Sequence, residues 1–392
     1  MTRALLIDVA GASIDLCPMS STVAPIPAGE LLLHVGVHKT GTTALQAALA
    51  DARAQLVDHG VLYPGEGTFQ HRAILAGAGR KYGWQGDGAR EVPKKHWEEL
   101  VEQARHNGRT VISSEFLDDV DPATAGAMIG DLGGAQRVSV AVTLRSIGAI
   151  LPSAWQQRLK AGYTAPYNQF LKMVFAEKRT PKAERFWYRH DQVAQVQRWV
   201  DLVGADRTYV VVIPDGDRTA IFSAFEALLD LPTGLLAARQ ISIANRSMTA
   251  QEAEFVRRLN KEVADSLTWD EYTRTVRRGI VLNMVETRRP DPDEQKILTP
   301  DWAADKAQQA GQRFADGIAA CGARVIGDPA ELARRPRSGA TQKPTTLALD
   351  AAVAGTAALV RRSTWSQPSR KQALGILLRR PQRRAEGGSD AD

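Results

Sequence analysis

Cysteine is nearly absent from this chain: Cys17 and Cys321 are the only two among 392 residues. They stand too far apart for a disulfide framework or a paired-thiolate metal site, which suits a reducing compartment. Long hydrophobic runs are missing as well. No uninterrupted apolar stretch approaches the roughly 18–20 residues that span a bilayer. Leu5-Leu6-Ile7 is cut short by Asp8, too brief a run for a secretory signal. A cytoplasmic protein is expected, one that could also sit peripherally at the inner membrane face. The body lacks an excess of charge of one sign. The formal total is +6 and the pI is near 9.3. Twelve basic and four acidic residues from Arg334 onward give that stretch +8, which leaves the first 333 residues at −2. Nucleic-acid binders usually spread positive charge over the folded face that meets phosphates, so no nucleic-acid partner is expected.

What remains has a globular composition, 44% apolar and 24% charged. Residues 1–29 look like a leader ending in Ala24-Pro25-Ile26-Pro27-Ala28-Gly29, residues 30–333 form one domain, and residues 334–392 form a basic tail. The tail is rich in Pro, Ser, Thr and Gly and is expected to be mostly disordered. Its segments 346–362 and 370–380 could turn helical on contact. The second combines basic residues with Leu374, Ile376, Leu377 and Leu378, a pattern that could touch anionic lipid or a protein partner.

Apolar runs predict strands at 30–37, 110–113, 137–144 and 207–213. Helical periodicity covers 42–59, 94–106, 149–161, 191–202 and 219–229, then 250–266 and 300–321. Strands alternating with helices predict a three-layer α/β fold: a central parallel sheet, helices on both faces and a helical C-terminal cover.

The most informative segment follows the first strand: His38-Lys39-Thr40-Gly41-Thr42-Thr43-Ala44-Leu45-Gln46. A buried strand running through a glycine turn into a helix aims free backbone N–H groups and the positive helix end at one point, an anion site by construction. Lys39 adds a full charge, and Thr42 and Thr43 add hydroxyl donors. Gly36 and Gly41 have the spacing of the nucleotide-triphosphatase loop, but Thr42 stands where that loop has lysine. Triphosphate chemistry also needs Mg²⁺ on a strand-end Asp, and the strand 110–113 runs into Ser114-Glu115 instead. A different phosphoanhydride donor is implied.

The loop resembles the 5′-phosphosulfate loop of sulfotransferases that use 3′-phosphoadenosine 5′-phosphosulfate (PAPS). That family has a second signature, an Arg and a Ser eight residues apart after the third strand, which hold the 3′-phosphate. Arg145 and Ser153 have that spacing here, in Thr143-Leu144-Arg145-Ser146-Ile147 through Ser153-Ala154-Trp155. Alone, the pair would pass for a surface arginine and a helix-capping serine; together with the loop, in the right order, it is far more specific. The family's R-N-P-x-x-R is altered, with Ser146, Ile147 and Ile150 in place of Asn, Pro and the second Arg. Weaker likeness to bacterial polysaccharide-type sulfotransferases lies in Asn245-Arg246-Ser247 through Glu252 and in Ala323 through Asp328.

The resemblance implies a P-loop-type fold and transfer of a sulfuryl group from PAPS to a hydroxyl or amine of a glycan or glycolipid, without a metal. His38, Lys39, Thr40, Gly41, Thr42 and Thr43 would bind the 5′ end of the donor, with Arg145 and Ser153 at the 3′-phosphate. Lys39 would also act in catalysis. A general base is needed for the acceptor; Glu115, just past the strand 110–113, is the first candidate and His71 the second. The run from Lys178 through Phe186-Trp187-Tyr188 to His190 mixes cations and aromatics and could stack sugar rings, or be a solvated loop with core aromatics. Trp155 could stack on adenine or belong to the core. Two other functions stay open: a P-loop kinase or nucleotidase, and a silent nucleotide- or glycan-binding protein.

Overall fold

The computed structural model describes residues 23–37, 40–82, 90–105, 108–217, 219–239, 246–263, 265–340 and 344–363. Six strands form one all-parallel sheet: β1 (Leu31–Gly36), β2 (Val61–Leu62), β3 (Arg109–Ser114), β4 (Val138–Leu144), β5 (Thr208–Val212) and β6 (Arg324–Ile326), in the order β2-β3-β1-β4-β5-β6. Every residue of β1 and β4 is buried. Strands covered on both faces need apolar residues at nearly every position, which is why these runs stood out in the sequence.

Successive side chains point to opposite faces, and each face has its own core. Leu32, Val111, Ala141 and Val211 pack against α1 (Thr42–Asp51), α2 (Arg53–Asp58) and α10 (Ala220–Leu229). On the other face, Leu33, Ile112, Val140, Val142 and Val210 meet α3 (His71–Gly77), α4 (Lys95–Gln103), α5 (Pro122–Asp131), α6 (Ile147–Leu159), α7 (Tyr167–Val174), α8 (Pro181–His190) and α9 (Gln192–Val203). The C-terminal cover joins that second face: α11 (Ala250–Val263), α12 (Trp269–Tyr272), a π-helical stretch Thr273–Leu282, α13 (Asn283–Thr287) and α14 (Asp301–Ala320). The three-layer α/β expectation is met. Among the described residues no helix is long and apolar enough to cross a membrane.

Three expectations change in detail. The helix expected over 42–59 divides at Ala52, which ends α1 and begins α2. In the leader, Ile26 is fully buried, and its N–H bonds Leu228 while its carbonyl accepts from Arg109 Nε. The tail is not loose over its described part. Pro336 sits against Gly148, Gly339 bonds Thr299, and α15 (Leu349–Ser363) packs on the π-helical stretch. The tail's composition hid an apolar contact, Ala351, that the cover buries. Segment 370–380 lies outside the described residues.

Candidate functional site

Chain order and strand order disagree at β1. The connection after β1 runs outward to β2, whereas that after β3 crosses over β1 to β4. Crevices at such a reversal, outside the carboxyl ends of the strands, are where open α/β sheets bind ligands. The glycine turn, Glu115 and Arg145 all lie at that edge, at the ends of β1, β3 and β4.

Gly41, at the N-cap of α1, has φ +98°, a left-handed conformation that favours glycine. Among the described residues no side chain caps α1, which leaves its first N–H groups for a ligand. A Cβ on Gly36 would come within 2.0 Å of Thr42 Oγ1, so only glycine lets the helix start this close to the strand. Among the described residues, the buried Thr42 Oγ1 and Gln46 Oε1 have no hydrogen-bond partner. One helical turn apart, they share a side of α1. Thr110 Oγ1 at the start of β3 and Trp199 Nε1 on α9 are unpartnered too, so it is the position of Thr42 at the glycine turn that matters: a bound anion there would satisfy its hydroxyl. Thr43 is half-buried in the same turn. His38 and Lys39 lie outside the described residues.

Beneath the turn is a polar relay that sequence reasoning missed. His34, fully buried in the middle of β1, places Nδ1 2.8 Å from Ser113 Oγ on β3 and Nε2 3.1 Å from Thr143 Oγ1 on β4. Thr143 Oγ1 is 2.7 Å from Thr40 Oγ1, which donates to the Val37 carbonyl. Burial pushes the imidazole down to about 3, so it is neutral near pH 7, with one nitrogen donating and the other accepting. The one legible signal was a histidine interrupting an apolar strand.

Arg145 leaves the end of β4, and its Nε donates to Asp215 Oδ1 at 2.6 Å. Asp215 Oδ2 accepts from Ser146 Oγ at 3.1 Å, and Ser146 caps α6 through Ala149 N–H. Serine thus fills the helix-capping place where the family pattern has asparagine. The pair is partly exposed, with 32% of the Arg145 side chain accessible, and among the described residues neither Nη atom is engaged. Ser153 is half-buried on α6, seven residues after Ser146 and so on the same side, about 10 Å along the axis. Asp215 also went unnoticed in the sequence, although a carboxylate after an apolar strand was its signal. It is spent on Arg145 and Ser146 and does not stand ready for a cation. No cluster of metal ligands occurs among the described residues.

Glu115 opens a short 3₁₀ turn after β3 (Glu115–Asp119) and is half-buried. Its charge acts on both His71 and Tyr63, so the two candidate bases are neighbours. Burial lowers the His71 pKa, and Glu115 only partly offsets it. The His71 ring stacks on Tyr82 at 5.5 Å, and Gln70 ties the start of α3 to the Ser113 N–H. The cation-rich run is a helix, α8, begun by the Thr180 cap and Pro181. Phe186 and Trp187 belong to the core, while Tyr188 is exposed beneath Arg198 and borders a groove of about 600 Å³ between α8 and α9. Trp155 is buried against Tyr167, with its N–H on Ala165, and so is a core residue.

No protein-family model matches this chain, and neither does any curated protein or solved structure.

Proposed function

We propose that this protein is a P-loop-type sulfotransferase that moves a sulfuryl group from PAPS to a hydroxyl or amine of a glycan or glycolipid. One observation carries the reading: donors uncommitted among the described residues, at the ends of two adjacent parallel strands. They are the uncapped α1 terminus with the Thr42 hydroxyl, and the outer edge of the Arg145 guanidinium. Gly36 pairs in register with Thr143, two residues before Arg145, so a single molecule with two separated phosphates is the natural ligand.

Bound PAPS would supply an activated sulfuryl group on a phosphoanhydride. The turn N–H groups and Thr42 would hold the 5′ end, and the planar fork of Arg145 suits a bidentate 3′-phosphate contact. Lys39 would neutralise charge building on the departing bridging oxygen. Glu115, at the carboxyl end of β3, would accept the acceptor's proton; His71, held neutral, is the alternative base. The groove edged by Tyr188 and Arg198 offers a ring face for a sugar. The same reading puts the enzyme in the cytoplasm, with residues 370–380 as a basic segment for an anionic surface.

Calorimetry with adenosine 3′,5′-bisphosphate on the wild type, Lys39→Ala and Arg145→Ala tests the reading. Binding that each substitution weakens about tenfold or more supports it. Silence toward the bisphosphate would overturn it, and preference for ATP with Mg²⁺ would replace it with the kinase or nucleotidase reading.

A further inference from the structure

The carboxylate beside Arg145 could act in two opposite ways: it could neutralise the guanidinium and compete with a phosphate, or hold it in a direction that a phosphate uses. We infer that Asp215 is a positioning residue that aims the Arg145 fork at the 3′-phosphate end of the nucleotide, an inference that rests on the sulfotransferase reading above.

Three features favour aiming over competition. First, the contact is made through Nε, at 2.6 Å, on the inner side of the guanidinium. The four N–H bonds of the two Nη atoms stay in the same plane and unengaged among the described residues. Asp119 on Arg189 and Glu254 on Arg257 each take both Nε and Nη2, whereas Asp215 takes Nε alone and leaves the two-Nη fork to a phosphate. Second, the other oxygen of Asp215 is occupied by Ser146 Oγ at 3.1 Å, on the residue next to Arg145. The carboxylate therefore grips the strand end at two adjacent points and cannot swing with the arginine. Third, both partners are fixed from outside the pair. Gln192 Nε2 donates to the Arg145 carbonyl at 2.7 Å, and Arg334 Nη1 donates to the Asp215 carbonyl at 3.2 Å. β4 and β5 run in register, with Leu144 opposite Val212, so the two loops leave the sheet side by side.

An arginine restrained in this way loses less rotamer freedom when its ligand arrives. Ser146 does two jobs here, its hydroxyl capping α6 and donating to the carboxylate.

The test compares two nucleotides on wild type, Asp215→Ala and Asp215→Asn: adenosine 3′,5′-bisphosphate and adenosine 5′-monophosphate, which lacks the 3′-phosphate. Asp215→Ala should weaken the bisphosphate about tenfold and leave the monophosphate within about twofold. Asp215→Asn, whose amide oxygen still accepts from Nε, should recover part of the loss and serves if the alanine variant folds poorly. In an Arg145→Ala background, Asp215→Ala should add nothing. Equal weakening of both nucleotides would mark Asp215 as merely structural, and unchanged or tighter bisphosphate binding would make it a competitor; either result overturns the inference. Failure of the wild type to bind the bisphosphate sinks the sulfotransferase reading itself, and this inference with it, whereas loss confined to the comparison of variants does not touch that reading.

Discussion

Two buried polar clusters, one beneath the glycine turn and one in the C-terminal cover, are finished to different degrees. In the cover, Glu252 is fully buried with both oxygens engaged: Oε1 by Arg246 and Arg288, Oε2 by Arg246 and the Thr249 N–H. Arg288, also buried, reaches Glu294 and Asp350 as well, and Asp350 belongs to α15. At the sheet edge, the His34 relay is satisfied, but Thr42 Oγ1, Gln46 Oε1 and the Arg145 Nη atoms above it are not engaged among the described residues. A saturated charge cluster holds structure together. The unsaturated one, at the end of parallel strands, is where the proposed reading puts the nucleotide.

That contrast breaks most sharply at Arg288. Arg288→Ala removes the buried cation shared by Glu252, Glu294 and Asp350, leaving the three carboxylates to Arg246 alone among the described residues, and should cost about 3–5 kcal/mol, read from urea unfolding, while bisphosphate affinity in the folded fraction is unchanged; a matching loss of affinity would blur the two clusters into one. Gly36→Ala comes next. Its methyl would strike Thr42 Oγ1, and the overpacking should cost about 1–3 kcal/mol together with most nucleotide binding, measured by thermal melting and calorimetry.

Acid should act on the relay with a definite sign. Unfolded, His34 titrates near 6.5, while burial holds the folded ring at about 3. Between these values the unfolded chain takes up a proton that the native protein refuses. Stability from this group is therefore full above pH 6.5 and falls as the pH drops, by about 1.4 kcal/mol per pH unit at most. Midpoints of urea unfolding for wild type and His34→Asn should diverge at neutral pH and converge toward pH 3. Parallel curves would remove His34 from the account. The smallest stability effect belongs to Thr42→Val. Replacing an unpartnered buried hydroxyl by a methyl should leave the unfolding free energy level or raise it by no more than about 1 kcal/mol, read from thermal melting, yet weaken the bisphosphate. A substantial loss of stability would mean the hydroxyl serves the fold.

Much of the sheet was readable because β1, β4 and β5 are largely apolar and β3 holds the apolar pair Val111-Ile112. β2 and β6, edge strands of two and three residues, were too short to show a period. Helices α3, α5, α7 and α8 also escaped notice. α5 is small-residue and glycine-containing, and α8 carries so many cations that its buried Ala183, Phe186, Trp187 and His190 were masked. The glycine turn and Arg145 were legible as local patterns. The sequence also suggested Glu115 and His71 separately, but not their proximity, which comes from α3 docking beside the end of β3.

By itself the sequence determined where buried strands run and where a helix begins on a glycine, because burial and left-handed turns restrict residue type at each position. Only the tertiary structure decided which groups meet across strands: His34 with Ser113 and Thr143, and Arg145 with Asp215 seventy residues later. Those pairings depend on strand order and register, and the order β2-β3-β1-β4-β5-β6 leaves no trace in any local period.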